Sequence, residues 1–354
     1  MRYLEKSVDT LIGTKKRILI TGGAGFIGLN LIIRLLKESS SVIFNLDKIG
    51  YASNLKPIED LLSRNDYEIK NRYQLLKVDL SNPIQTDSAI KKADPDLIMH
   101  LAAESHVDNS IIYPDWFIKS NIIGTFNLLS SAKDHYENLT LKRKLSFRFL
   151  HVSTDEVFGS LDSTSRFSES SPYDPRSPYS ASKASSDHIA KAWYHTYNFP
   201  VIITNCSNNF GPYQFKEKLI PMAILNALNL KSIPIYGDGK NIRDWLFVED
   251  HIDGLLLALS KGKRGESYCI GGNGEKENIE LVSIICELLD NLIPNNKPHF
   301  NLIKFVEDRK GHDRRYSINA KKIKNELGWV PKFSFKKAIK LTINYYISIF
   351  KQNS

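Results

Sequence analysis

A glycine-spaced loop near the start of the chain, Gly22-Gly-Ala-Gly25-Phe26-Ile27-Gly28, separates a short apolar run (Arg17 to Thr21) from a stretch of helical periodicity (Phe26 to Lys37). Strand, tight loop and helix in that order open a parallel sheet. The signal repeats. Val42 to Leu46, Tyr73 to Val78, Leu97 to Leu101, Phe147 to Val152 and Val201 to Asn205 read as strands. Helical patterns, such as Pro114 to Lys133 and Ala181 to Tyr197, separate most of them. Strand alternating with helix predicts an α/β chain with a doubly wound parallel sheet. Helices on both faces bury such strands from both sides, which fits their nearly unbroken apolar runs.

After Asn205 the pattern changes. Segments rich in Gly, Pro and Asn (Asn208 to Tyr213, Pro234 to Asn241, Gly271 to Asn278) read as loops between shorter elements. The expected division is a dinucleotide-binding domain over 17–205, joined by part of 243–268. A smaller, discontinuous, mixed α/β domain follows, mainly over 206–350, and forms the other wall of a cleft. Phe333 to Phe350 reads as a terminal amphipathic helix whose lysines (Lys336, Lys337, Lys340) argue against a membrane span. No apolar run approaches the roughly 20 residues that a spanning helix needs.

Composition narrows the setting. Apolar residues make up 42% of the 354 and charged ones 25%, as in ordinary globular chains. The segment Met1 to Lys16 is charged and lacks the apolar core of a secretory signal. Cys206, Cys269 and Cys286 are an odd count without ligand spacing, so they read as reduced thiols of a cytoplasmic protein. The sequon Asn138-Leu-Thr140 then has no glycosylating compartment. Lys and Arg exceed Asp and Glu by 48 to 39, but the excess is dispersed along the chain. It fits an anionic small substrate better than a nucleic acid.

In the glycine loop, Gly22 permits a tight turn, Gly25 lets backbone approach a pyrophosphate, and Gly28 allows the helix to pack closely. Asp47 ends the second strand 19 residues after Gly28. A carboxylate there accepts bonds from both ribose hydroxyls and repels a 2′-phosphate, so NAD is the expected cofactor. Asp79-Leu80 and Leu101-Ala102-Ala103-Glu-Ser105 follow later strands at carboxyl ends, where cofactors lie in such sheets. His100 and His106 have no clustered partners. They read as packing or hydrogen-bonding groups, and no metal site is expected.

Tyr179 and Lys183 are four residues apart on a helix, so phenol and ammonium share one face. Beside a nicotinamide, that pair can oxidise an alcohol. Lys183 and the cofactor's positive ring are expected to lower the phenol's pKa by about three units, a demand of roughly 4 kcal/mol. Ser153-Thr154-Asp155-Glu156 adds a proton donor and a proton acceptor that plain alcohol oxidation does not need. The combination points to oxidation coupled to loss of water.

These motifs resemble the extended short-chain dehydrogenase/reductases. The resemblance rests on the glycine loop, Leu101-Ala-Ala-Glu-Ser-His-Val-Asp108 and Tyr179-x-x-x-Lys183. Ser153 to Gly159, Tyr179 to His188, Ser207 to Tyr213, Glu217 to Pro221, Ile242 to Trp245 and Gly311 to Arg315 are similar to the branch of nucleotide-sugar 4,6-dehydratases that takes dTDP-glucose. The match runs from about Arg17 to Pro331, and the Thr-Asp-Glu triplet is its most specific part. Gly50 and Lys310 depart from common family residues, away from the chemistry.

The resemblance implies a Rossmann fold, a homodimer, and roles for individual residues. Tyr179 would take the proton of the sugar 4-hydroxyl, Thr154 would hold that oxygen, Glu156 would deprotonate carbon 5, and Asp155 would protonate the departing 6-hydroxyl. Lys48, Asn54 and Asn209 would join the cofactor residues. Ser105, Asn208, Lys218, Leu219, Pro234, Ile235, Tyr236, Arg243, Asn278, Asp308, Arg309, Gly311 and His312 would hold the nucleotide diphosphate and sugar. Sugar-nucleotide epimerases and decarboxylases share the glycine loop and the Tyr-Lys pair but typically lack the Asp-Glu doublet. A non-catalytic dinucleotide sensor is expected to have a broken Tyr-Lys pair.

Overall fold

The first strands of the computed structural model, which describes residues 8–63 and 67–353, follow the alternation read in the sequence. They are β1 (Arg17–Thr21), β2 (Val42–Asp47), β3 (Tyr73–Lys77), β4 (Leu97–His100), β5 (Arg148–Thr154) and β6 (Val201–Cys206). Next come β7 (Asn208–Phe210), β8 (Ile233–Tyr236), β9 (Ile242–Phe247) and β10 (Ser267–Ile270). The main sheet has the order β10-β6-β5-β4-β1-β2-β3, and every pairing in it is parallel. Chain order reverses between β1 and β4, the switch point at which ligands bind in such sheets.

Side chains alternate between two cores, as strand pleating requires. Ile18, Ile20, Leu97, Met99, Leu150, Val152 and Ile202 enter one apolar cluster. Leu19, Ile98, Phe149, Val201 and Ile203 enter the other. Truncating one of these fully enclosed residues, such as Leu150, to alanine should cost about 2–5 kcal/mol.

Two helices matter most for the site. The first runs from Pro114 to Glu137, slightly beyond the expected Lys133, and its Ile118–Ile123 turn is π-helical. The second, Pro178–Tyr197, starts at a reciprocal cap. Ser177 Oγ accepts the Ser180 N–H at 3.0 Å, and Ser180 Oγ accepts the Ser177 N–H at 2.9 Å. Pro178 supplies a preset φ at the first helical position. This cap fixes where Tyr179 begins its turn, and Asn198 ends the helix in the left-handed region.

Beyond residue 205, the three segments read as loops each contain a short strand. β9 pairs in parallel with β7 and antiparallel with β11 (Glu275–Glu277), while β8 pairs in parallel with β12 (Ile303–Val306). Three or four residues are too few to show a period. β10 returns to the edge of the main sheet beside β6. The terminal helix spans Phe335–Asn353, and no described helix is long and apolar enough to cross a membrane. Residues 1–7 of the N-terminal extension lie outside the described residues. The rest forms a short helix, Val8–Ile12, with both end residues buried and Asp9 accepting the Ser40 N–H at 3.0 Å.

Candidate active site

A cavity of about 780 Å³ opens across the carboxyl ends of β1, β2, β4, β5 and β6 and is closed on its far side by β8, β9 and their loops. Its wall includes Gly22, Gly25, Phe26, Ile27, Gly28, Asp47, Lys48, Asp79, Leu80, Leu101, Ala102, Ala103, Ser105, Thr154, Asp155, Glu156, Tyr179, Lys183 and Asn209. Asn208, Lys218, Leu219, Pro234, Ile235, Tyr236, Arg243, Asn278, Arg309 and His312 line it as well. Three expected residues do not reach the wall. Asn54 instead donates its N–H to the Ala24 carbonyl at 2.8 Å and caps Lys56. Asp308 is exposed and accepts from His312 Nδ1 at 2.6 Å. Gly311 makes an exposed turn at φ +66°.

The glycine cradle fits a dinucleotide. Gly22 has φ +71°, and a Cβ on it would lie 2.7 Å from the Ala102 backbone. A Cβ on Gly28 would lie 2.3 Å from the Gly22 carbonyl, so this glycine lets the helix close on the loop itself rather than on the sheet. The helix starting at Phe26 has no side-chain cap, which leaves first-turn N–H groups directed at the cavity for an anion. Asp47 is buried. Its Oδ2 accepts the Ala24 N–H at 3.0 Å and its Oδ1 accepts the Ile49 N–H at 2.8 Å. A two-oxygen carboxylate so bonded still has lone pairs for ribose hydroxyls. At the rim, Lys48 pairs with Glu104 at 2.6 Å.

β5 delivers the acid–base residues. Thr154 caps a 3₁₀ turn over Asp155–Phe158, its Oγ1 accepting the Glu156 N–H at 3.2 Å. The same hydroxyl donates to Asp155 Oδ1 at 3.3 Å, and it works against the rise in the Tyr179 phenol's pKa. Asp155 is enclosed, and its Oδ2 has no partner among the described residues. Burial, then the nearby Glu156 and Asp244 charges, push its pKa well above the ordinary carboxyl range. Burial also raises Glu156, but Arg309, Lys218 and Arg243 oppose that rise.

The Tyr-Lys pair differs from expectation. Burial first, and Glu156 next, push the Tyr179 phenol well above its ordinary range. Lys183 donates instead to the Val152 carbonyl at 2.9 Å, and burial lowers its own pKa. The protein alone therefore keeps Tyr179 protonated. The Lys183 ammonium is directed at the Val152 carbonyl rather than at the phenol, so the lowering expected of Tyr179 calls on the cofactor's positive ring as well.

Cations converge on the opposite wall. Arg243 donates to the Ile242 and Asp313 carbonyls at 2.8 and 2.9 Å and stacks over the Tyr316 ring at 4.3 Å. Lys218 donates to the Ser105 carbonyl at 3.0 Å, and Arg309 lies 3.7 Å from Asp108. Asn208 Oδ1, Asn278 Oδ1 and Arg309 Nε are buried without hydrogen-bond partners among the described residues. Three unsatisfied polar groups in one wall mark a surface built for a polar ligand.

Sequence reasoning missed several wall residues, including Glu104, His106, Asp108 and Tyr316. It also missed Asn121, which is enclosed in the π-helical turn. Asn121 accepts the Glu104 N–H at 2.8 Å and donates to Ser182 Oγ at 2.9 Å, tying the loop after β4 to the helix that carries Tyr179. Its only signal was an amide among isoleucines. His100 bridges Thr21 and Thr125 Oγ1 at 2.7 and 2.9 Å, as a packing group does.

Comparison with known proteins agrees with this architecture. The family model for GDP-mannose 4,6 dehydratase matches residues 19–342. The probable dTDP-glucose 4,6-dehydratase of Sinorhizobium fredii is 50% identical over 94% of this chain and 93% of its own. That of Shigella flexneri is 48% identical, with the same coverage. The crystal structure of dTDP-glucose 4,6-dehydratase from Bacillus anthracis in complex with NAD superposes with a TM-score of 0.81 at 42% identity. It covers 94% of this chain and 97% of that one. A UDP-glucose 4-epimerase from Thermotoga maritima, at 24% identity and TM-score 0.80, shares the fold. The chain belongs to the GDP-mannose 4,6 dehydratase family, among its dTDP-glucose 4,6-dehydratases.

Proposed function

We propose that this protein is an NAD-dependent hydro-lyase that converts dTDP-glucose to its 4-keto-6-deoxy sugar nucleotide. The observation that carries this reading is one cavity holding Tyr179, Lys183 and the Asp155-Glu156 doublet together. When bound, NAD supplies reversible two-electron chemistry, so oxidation at carbon 4 and reduction at carbon 6 cancel over a turnover. The cradle from Gly22 to Gly28 and Asp47 hold it.

With the positive ring of bound NAD beside it, and with Lys183, the Tyr179 phenol is favoured as the phenolate. In that form Tyr179 takes the proton of the 4-hydroxyl, and Thr154 orients that oxygen. The resulting ketone acidifies carbon 5. Glu156, half-buried and faced by three cations, remains the better base; it removes the carbon-5 proton and gives a proton back to carbon 5 as carbon 6 is reduced. Asp155, held protonated, gives its proton to the 6-hydroxyl as it leaves as water. Arg243, Lys218 and Arg309 hold the diphosphate, while Asn208 and Asn278 present their orphaned carbonyls to the nucleotide sugar. Tyr236 offers its ring to the base.

The cofactor domain spans 17–205 with returning elements up to β10, and the sugar-nucleotide domain comprises most of the remainder. The protein works in the cytoplasm as a homodimer. Ile112, Tyr113, Trp116, Ile123 and Phe126 are exposed on or beside the Pro114–Glu137 helix and support that pairing. The deciding experiment offers dTDP-glucose, UDP-glucose and GDP-mannose separately and follows each by mass spectrometry. Loss of one water from dTDP-glucose is expected. No water lost from any of the three refutes the reading.

A further inference from the structure

One carboxylate behind the site has no part in the chemistry above. Asp187 lies on the Pro178–Tyr197 helix, one turn beyond Lys183, and is completely enclosed. Its Oδ1 meets His151 Nε2 at 2.9 Å. Its Oδ2 accepts from Ser153 Oγ and the Tyr173 hydroxyl, both at 2.8 Å, and from Asn205 Nδ2 at 3.2 Å. His151 and Ser153 flank Val152 on β5, and the Val152 carbonyl is the acceptor for Lys183 at 2.9 Å. Asn205 also donates to the Thr154 carbonyl at 3.1 Å. One carboxylate thus binds the stretch of β5 that leads into Thr154, Asp155 and Glu156.

Four hydrogen bonds on one buried carboxylate are far more than anchoring a helix requires. Their effect is to hold Asp187 charged. Burial works to raise its pKa, and the bonds and charges of its neighbours outweigh burial. Lys183 needs such a charge, because its one hydrogen bond is to a neutral carbonyl and a buried ammonium without a counter-charge gives up its proton. The other titratable groups around it come from every packed element. They are His100 on β4, His151 on β5, Cys206 on β6, Asp155 and Glu156 on the 3₁₀ turn, and Tyr179 on the same helix. Burial holds both histidines neutral and pushes the Cys206 thiol up to about 12. Asp155 and Tyr179 keep their protons, and Glu156 is balanced by the cations of the opposite wall. Asp187, four residues from Lys183 on the same helix, has its charged form favoured and acts on the ammonium through space rather than by direct ion pairing.

We propose that Asp187 is the buried counter-charge of Lys183, a positioning residue that keeps the ammonium protonated while it pins the Val152–Glu156 edge against Tyr179. The inference rests on reading Tyr179 and Lys183 as the oxidising pair.

Asp187→Asn keeps the shape and removes the charge. The alkaline limb of kcat against pH, which reports proton loss from Lys183, should move down by about 1 pH unit or more. Tyr173→Phe removes one hydrogen bond but no charge, and should leave that limb in place. An Asp187→Asn limb at the wild-type position overturns the proposal, as does an equal movement in Tyr173→Phe. Should Asp187→Asn fail to fold, the wild-type protein decides. With lysines labelled with carbon-13 at the ε position, the Lys183 signal, assigned by its loss in Lys183→Met, should show the charged form throughout the neutral range. A neutral Lys183 at pH 7 overturns the proposal. The labelled-lysine arm needs no turnover, so its failure is distinct from failure of the dehydratase reading.

Discussion

Asp155 and Glu156 are adjacent in sequence, yet their carboxyls lie in different environments. Asp155 is enclosed, bonded by a single hydroxyl and faced by two further carboxylates. Glu156 is half-buried and faced by Arg309, Lys218 and Arg243. Two like groups whose surroundings push their pKa values apart provide one acid and one base at the same pH.

A stability measurement tests that difference without substrate. Folded protein keeps the Asp155 proton at pH values where the unfolded chain has released it. The native state then binds more protons than the unfolded state, so stability falls as pH rises above the ordinary Asp range toward the folded pKa. Asp155→Asn removes that penalty. Its Tm should exceed the wild-type value at mildly alkaline pH, and the gain should shrink toward about pH 4. A gain independent of pH would show that Asp155 is not held protonated.

Asp47→Ala should weaken NAD binding by on the order of 2–4 kcal/mol, through loss of two charge-assisted bonds. Nucleotide-sugar affinity should change little, because Asp47 lies at the end of β2 and the converging cations lie on the opposite wall. The variant also orphans the Ala24 N–H, so Tm should fall as well. Calorimetric titration with each ligand separates the two effects. Unchanged NAD affinity removes Asp47 from the cofactor site.

The dimer face is open to a direct test. Phe126 and Trp116 are each 45% exposed on the Pro114–Glu137 helix, whereas Phe117 and Leu129 point into the core. Phe126→Glu should convert a dimer to a monomer in light scattering at micromolar concentration and leave Tm nearly unchanged. A wild-type protein that is already monomeric there overturns the assembly.

Much of this architecture was legible in the sequence because it obeys local rules. Strands β1, β2, β4, β5 and β6 announce themselves by enclosed, largely apolar runs, and the cradle by Gly22 and Gly28, which nothing larger replaces without collision. Other features depend on contacts made across the chain. β10 rejoins the main sheet after three short strands that belong to other sheets, and four residues carry no period. Asn121 becomes a clamp only because a π-helical turn aims it at Glu104 and Ser182. Tyr179 and Lys183 were recognisable by spacing, but their pKa directions were not. Burial opposes both charged forms, and the sequence does not reveal the depth of burial.

The two half-reactions can be separated by a pair of substitutions. Glu156→Gln keeps the shape of the side chain and removes the base for carbon 5, while oxidation at carbon 4 relies on Tyr179 and Thr154. On rapid mixing with dTDP-glucose, this variant should still develop reduced-nicotinamide absorbance. It should lose water roughly 10²–10⁴-fold more slowly than wild type. Tyr179→Phe should suppress the absorbance itself, because the phenol that accepts the 4-hydroxyl proton is gone. Wild type should turn over without net accumulation of reduced cofactor, since the reducing equivalent returns to carbon 6. If Glu156→Gln eliminated water at the wild-type rate, Glu156 would not be the base, and the carbon-5 proton would have to leave through another group in the cavity.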